Sequence, residues 1–195
     1  MTGGFRFDAD THTYTDATGA VLPHITGLLE AAGWIDTTWL TEAGRDRGTA
    51  VHELSAEYDL RGLDPARVVS AHRGYLLAYI AAMKALRPRW TAVEVPCVHP
   101  VYRFGGRPDR VGRVLGLHTI AEIKSGAEER HHAVQTAMQA ILVAGEHGGL
   151  PAEDYQRIAV YLKPTGRYVV ERHTDRRDFG RAMEIVRATC QRCTP

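Results

Sequence analysis

The sequence predicts an α/β (α+β) fold, a central mixed β-sheet flanked by α-helices, and three observations predict it. Apolar residues recur at steps of three and four over residues 68–86, the period of a helix with one buried face. From Trp90 the period shortens to two and keeps that value to about Ser125, as in consecutive strands. A helical stretch over 130–146 then leads into two more strands, so the elements alternate as in a sheet with helices packed on it.

In chain order, "FRFDADTHTYTDATGAVL" (residues 5–22) alternates short apolar and polar stretches around Asp16 and Gly19 and reads as a small N-terminal hairpin. "HITGLLEAAG" reads as a short helix capped near Thr26 and stopped at Gly33. A second helix is expected from about Thr38, with a break at Gly44 or Gly48, through "TAVHELSAEYDL" to Gly62. Asp64 and Pro65 form a cap and first-turn pair for a third, whose buried face is Val68, His72, Tyr75, Leu76, Tyr79, Ile80, Met83 and Leu86, and which Pro88 ends.

"WTAVEVPCVHP", "YRFGGRPDRVGRV" and "LHTIAEIKS" are expected to form a three-strand meander, the last two joined by a turn at Leu115 and Gly116. The helix over 130–146 puts Val134, Ala137, Met138, Ile141 and Leu142 on one face and a column of His131, Gln135 and Gln139 on the other, with Gly148 and Gly149 ending it. "RIAVYLKP" and "GRYVVERH" follow as strands. "TDRRDFGRAMEIVRATCQRC" reads as a last helix capped by Thr174 or Asp175. No internal repeat or low-complexity segment interrupts the pattern.

A chain of 195 residues is long enough for one domain with a buried core, and the expectation is a single domain over 1–195, with the hairpin and first helix in 1–35 and the core in 36–195. No apolar run approaches the roughly 18 residues of a membrane span. The N-terminus lacks the basic start and apolar core of a signal peptide, so a cytoplasmic, reducing location is expected. Structural disulfides are therefore unexpected. Cys190-x-x-Cys193 has the spacing of half a metal site, but no second pair completes it, and it reads as two small side chains near a helix end.

A net charge of +1 argues against a generally basic nucleic-acid coat. Basic residues nevertheless crowd locally: Arg103, Arg107, Arg110 and Arg113 surround Asp109, and Arg130, His131 and His132 follow Lys124. Such an excess suits phosphates or, equally, a solvated edge. Lysine occurs only at 84, 124 and 163, so a lysine inside a strand is informative, because an ammonium can be tuned where a guanidinium cannot.

Chemistry concentrates in residues 105–126, "GGRPDRVGRVLGLHTIAEIKSG". Side chains two apart on a strand share a face, so Glu122 and Lys124 project together while Ala121 and Ile123 face the other way. Pairing through the Leu115-Gly116 turn brings Asp109 close to opposite Glu122. Two carboxylates in one partly buried site repel unless a cation or proton intervenes. Oxygen ligands favour magnesium, or manganese in its place, and magnesium retains waters that can act as nucleophiles. Lys124 would orient or deprotonate such a water, or neutralise charge in a phosphoryl transition state. These parts suit phosphodiester hydrolysis; the plain alternative is a surface hairpin with a cross-strand salt bridge.

The pattern Pro108-Asp109 followed by Glu122-x-Lys124 on a hairpin resembles the PD-(D/E)xK nuclease superfamily, which has a restriction-endonuclease-like core. Gly48-x-x-x-His52 resembles the G-x-x-x-H motif of its RecB-like branch, and Gln135 sits where that branch has Q-x-x-x-Y. "PHITGLLEAAGWID" and "RGTAVHE" resemble motifs of phage-encoded members, so the resemblance runs from about Tyr14 to Ile141.

The resemblance implies that Asp109, Glu122, the main-chain carbonyl of Ile123 and His52 bind Mg2+ (or Mn2+). Lys124 would position the attacking water, and Gln135 the scissile strand or the lysine. DNA contacts are expected from Arg47, Arg107, Arg130, Gln135 and Gln139, while Thr26 matches a DNA-end motif only loosely. Glu94 on the preceding strand is a further candidate to approach the site, and Glu53 a reserve ligand should His52 point away. The chain departs from the family at Gln139, which stands in the tyrosine position, and at His24, which replaces a small serine. Relatives with an iron-sulfur cluster place one cysteine before and three after the core; here Cys97 falls inside it, and no cluster is expected.

The function expected is a phage-type exonuclease that processes double-stranded DNA ends for recombination or repair, since the chain has no G-x-x-x-x-G-K-[ST] loop of a helicase partner. A structure- or sequence-selective endonuclease is a second reading, and a non-catalytic DNA-binding or adaptor protein a third. Relatives act on double-stranded ends or single strands, often as homo-oligomers or beside a single-strand annealing protein, in the bacterial host cytoplasm and without a membrane.

Overall fold

The computed structural model describes residues 4–36, 41–148 and 150–189. Among them, β1 (Phe5–Asp8), β2 (Thr13–Asp16) and β3 (Val21–Leu22) precede α1 (Ile25–Ala31), α2 (Glu42–Arg61) and α3 (Ser70–Leu86). Then come β4 (Arg89–Val93), β5 (Cys97–Val98), β6 (Gly105–Gly106), β7 (Arg110–Val114), β8 (Leu117–Lys124), α4 (His131–His147), β9 (Gln156–Leu162), β10 (Tyr168–Arg172) and α5 (Arg177–Thr189). Short 3-10 turns lie at Pro65–Arg67 and Ala152–Asp154.

The central sheet has the order β10-β9-β8-β7-β4. β4, β7 and β8 run antiparallel, α4 crosses over to bring β9 parallel to β8, and β10 returns antiparallel, so the sheet is mixed. The β7-β8 turn is as expected: Leu115 and Gly116 both have positive φ (51° and 86°), the twist a two-residue hairpin loop requires.

Helices cover both faces. Ala121, Ile123, Ile158, Val160 and Leu162 pack with Val51 of α2 and with Tyr75, Tyr79 and Met83 of α3. On the other face Ile120 packs with α4, and α1 and α5 close behind α4 through Leu28, Leu29, Phe179 and Val186. Burying each such aliphatic side chain contributes about 1.5–3 kcal/mol. Double coverage explains why Thr119–Ile123 is buried at every position and the polar pair Glu122 and Lys124 lies under a helix.

The structure refines several boundaries. The N-terminal element is a three-strand meander, because a second turn precedes β2. α1 is capped by His24, not Thr26: His24 Nδ1 accepts the Gly27 N–H at 3.3 Å. α2 begins after Thr41, whose Oγ1 accepts the Gly44 N–H at 3.1 Å, and runs unbroken through Gly44 and Gly48 to left-handed Gly62; Thr38 lies outside the described residues. Asp64 caps the 3-10 turn, while α3 starts later, at Ser70.

The expected meander is also subdivided. Positive φ at Glu94 (52°) turns the chain out of β4, so Cys97–Val98 leaves the main sheet and pairs with Gly105–Gly106. A bulge separates Trp90 from Ala92 opposite β7, and there a Cβ on Gly112 would come within 2.2 Å of the Arg89 carbonyl oxygen. β9, β10 and α5 match expectation, with Asp175 Oδ1 accepting the Arg177 N–H at 3.0 Å at the start of α5. Cys190, Cys193 and Gly149 lie outside the described residues. No helix among those described is long and apolar enough to cross a membrane.

Candidate metal centre

An open pocket of about 680 Å3 lies between α2, α4, the ends of β4 and β8, and the N-terminal meander. The β7-β8 register pairs Arg110 with Ala121, so one step further Asp109 stands opposite Glu122. Asp109 Oδ2 accepts the Ile123 N–H at 2.6 Å, which fixes the carboxylate at the strand ends. A strand residue presents its N–H and C=O to the same edge, so the Ile123 carbonyl faces the Asp109 side.

From α2, one turn after Gly48, His52 Nδ1 reaches within 3.4 Å of Asp109 Oδ1 and 3.1 Å of Glu94 Oε1. His52, Glu94 and Asp109 form the one group of three among the described residues whose ligand atoms all lie within 4.8 Å of one another. Glu122 lines the same pocket but points into a polar cage. Its Oε1 is 2.8 Å from Lys124 Nζ and accepts from Gln135 Nε2 at 2.7 Å, and its Oε2 accepts from Gln139 Nε2 at 2.5 Å. Lys124 Nζ also donates to Gln135 Oε1 at 3.2 Å.

Charge explains the titration directions. Burial disfavours protonated His52, but the Asp109 and Glu94 carboxylates outweigh it and push the imidazole up to about 10. Burial and the nearby Asp109 charge raise Glu94. Asp109 is held low because His52, Lys124 and the Ile123 N–H overcome its burial. Lys124 is raised: Glu122 and Asp109 outweigh the cost of burying it. That favours its charged form, which suits orienting a water or neutralising charge.

The donor set fits a hard divalent ion. Two carboxylates and an imidazole converge, and on the same wall Gln139 Oε1 is buried without a protein partner. Ligation by His52 would release the proton that Asp109 and Glu94 favour on it.

The remaining predicted residues divide. Gln135 lies in the pocket as expected. Gln139 is only 3% exposed and holds Glu122, so it offers no surface for a base or sugar. Arg107 lines the pocket with its Nε 3.1 Å from Glu94 Oε2. Arg47 is half-buried on α2 and does not line the pocket. Arg130 immediately precedes α4, without a side-chain cap bond, and lines a separate groove with Gly33 and Trp34. Glu53 and Thr26 line the pocket, while Glu53 stays outside the metal-ligand group.

The local excess of arginine is largely spent on protein partners: Arg103 pairs with Asp16, Arg110 with Asp59, and Arg113 with the Gly116 carbonyl. Arg103 and Arg113 stay exposed at the surface, as the solvated-edge reading has it, whereas Arg110 is fully buried. No protein-family model and no curated protein matches the chain.

Proposed function

We propose that the chain is a metal-dependent deoxyribonuclease of the PD-(D/E)xK type, with a restriction-endonuclease-like core, acting as a phage-type exonuclease on double-stranded DNA ends. The observation that carries this reading is the convergence of His52 from α2, Glu94 from the end of β4, Asp109 and Glu122 from the hairpin, and Gln135 from α4 around one pocket beside Lys124. A structural salt bridge on a surface hairpin would not need residues from two distant helices. The mixed sheet with its charged hairpin under α4 supports the fold assignment.

His52, Glu94 and Asp109 would hold the Mg2+ or Mn2+, with Glu122 and the Ile123 carbonyl next to them. Such an ion supplies Lewis acidity and a water of lowered pKa. The protein's own part is positional: Gln135 and Gln139 orient Glu122, and the Lys124 ammonium, held by Glu122 and Gln135, faces the pocket where phosphoryl charge would develop. Arg107, which lines the pocket and pairs with Glu94, would meet a phosphate there.

End-labelled linear duplex and covalently closed circular DNA, each incubated with Mg2+, test the proposal. Progressive shortening of the linear form with intact circles is expected. Cutting of circles would overturn the exonuclease assignment, and inertness towards every DNA form with Mg2+ and Mn2+ would overturn the nuclease itself.

A further inference from the structure

Behind the pocket lies a cation that the chemistry above does not use. Arg110 has no solvent exposure and lies over the Tyr79 ring, 5.4 Å from its centroid. Its Nε is 2.6 Å from Asp59 Oδ2, and the Tyr79 hydroxyl donates to the same carboxylate. Its Nη2 donates to Ser55 Oγ at 3.0 Å, and Ser55 Oγ donates in turn to the His52 carbonyl at 3.0 Å. Its Nη1 donates to the Asp109 carbonyl at 2.7 Å and lies 3.5 Å from Glu94 Oε1.

Burying a guanidinium is costly unless every arm is paired, and packing alone could be served by an apolar side chain. Here each arm ends on something specific. Ser55 and Asp59 follow His52 by three and seven residues, so all three share one face of α2. The guanidinium therefore joins the His52 face of α2 to the main chain at Asp109 and touches Glu94.

We propose that Arg110 is a positioning residue for the candidate metal centre: by tying Ser55 and Asp59 to the Asp109 main chain, it sets where His52 stands relative to Asp109 and Glu94. This rests on the metal-centre reading. Lysine cannot replace it, since one ammonium cannot reach Asp59, Ser55 and the Asp109 carbonyl at once.

The test is Mn2+ binding to the full chain, followed by the EPR signal of free ion, with an unfolding midpoint for each variant. Arg110→Lys and Asp59→Asn are each expected to weaken Mn2+ roughly tenfold or more, the usual effect of losing a group that orients ligands. Asp59→Asn should add nothing in a His52→Ala background, because its effect passes through His52. Should Arg110→Lys fail to fold, Asp59→Asn and Ser55→Ala, which retain the guanidinium, decide the matter. Wild-type affinity in these folded variants, or an Asp59→Asn loss undiminished without His52, overturns the inference alone. No Mn2+ uptake by the wild type overturns the metal-centre reading and this inference with it.

Discussion

At Glu94 the main chain adopts a left-handed conformation that residues other than glycine rarely take, at a cost of about 1 kcal/mol or more. The carboxylate gained by that turn meets His52, Arg107 and Arg110. In the sequence Glu94 is a candidate to approach the site because it lies on the strand before Asp109, and its φ, which aims it at His52, depends on contacts that local pattern does not report. Gln139 was obscured differently: a glutamine column on a helix reads as solvent-facing until the sheet beneath is seen to carry a carboxylate. Asp109, Glu122, Lys124 and Gln135 were legible because strand alternation and motif spacing act locally. Two predictions belong at this scale. Glu94→Gln should weaken Mn2+ binding by at least about tenfold, measured by calorimetry. Lys124→Arg should bind Mn2+ as the wild type does yet lower kcat about a hundredfold, since a displaced cation no longer meets the developing charge; unchanged kcat would remove Lys124 from the chemistry.

Among the elements, α4 matters most for the site. It presents Gln135 and Gln139 to Glu122, and its start is fixed by Arg157 of β9, whose Nη1 donates to the Ala133 carbonyl at 2.7 Å. Arg157 also pairs with Asp178 of α5 at 3.2 Å and lies over the Phe179 ring. Arg157→Ala leaves the buried Asp178 with Arg181, at 2.9 Å, as its remaining guanidinium and should cost about 1.5–3 kcal/mol in urea unfolding, the usual range for a lost hydrogen bond to a charged group; a loss below about 1 kcal/mol would show that α4 and α5 are held by apolar packing alone. Most helices and strands could be read from periodicity. The β4-β5 boundary could not, since a strand that turns out of its sheet keeps its alternation, and neither could the His24 cap, since histidine is an uncommon capping residue.

Over the whole molecule, buried histidines link stability to pH. Burial, with Lys124 and neighbouring imidazoles, lowers His132 to about 2, and burial lowers His173. Above the ordinary imidazole value of about 6.5 these groups are neutral folded or unfolded and contribute no pH dependence. Below it the unfolded chain takes up protons that the folded chain refuses, so stability falls as pH drops from 6.5 towards 4.5, by up to about 1.4 kcal/mol per unit for each fully depressed histidine. His132→Gln should flatten that slope in urea midpoints measured across the range; an unaltered slope would exclude His132 as its source. His52 works in the opposite sense: raised to about 10, it contributes stability that is full below 6.5 and lost as pH rises towards 10.

The proposal of a metal-dependent nuclease built on Asp109 rests on the pocket at the strand ends of the central sheet. The most direct test compares wild type with Asp109→Ala on end-labelled linear duplex DNA, with Mg2+ and with EDTA, after both proteins are shown to share an unfolding transition. Progressive shortening by the wild type that requires Mg2+ and disappears in Asp109→Ala is the predicted result. Shortening that persists in EDTA or in Asp109→Ala, or its absence from the wild type, would contradict the account.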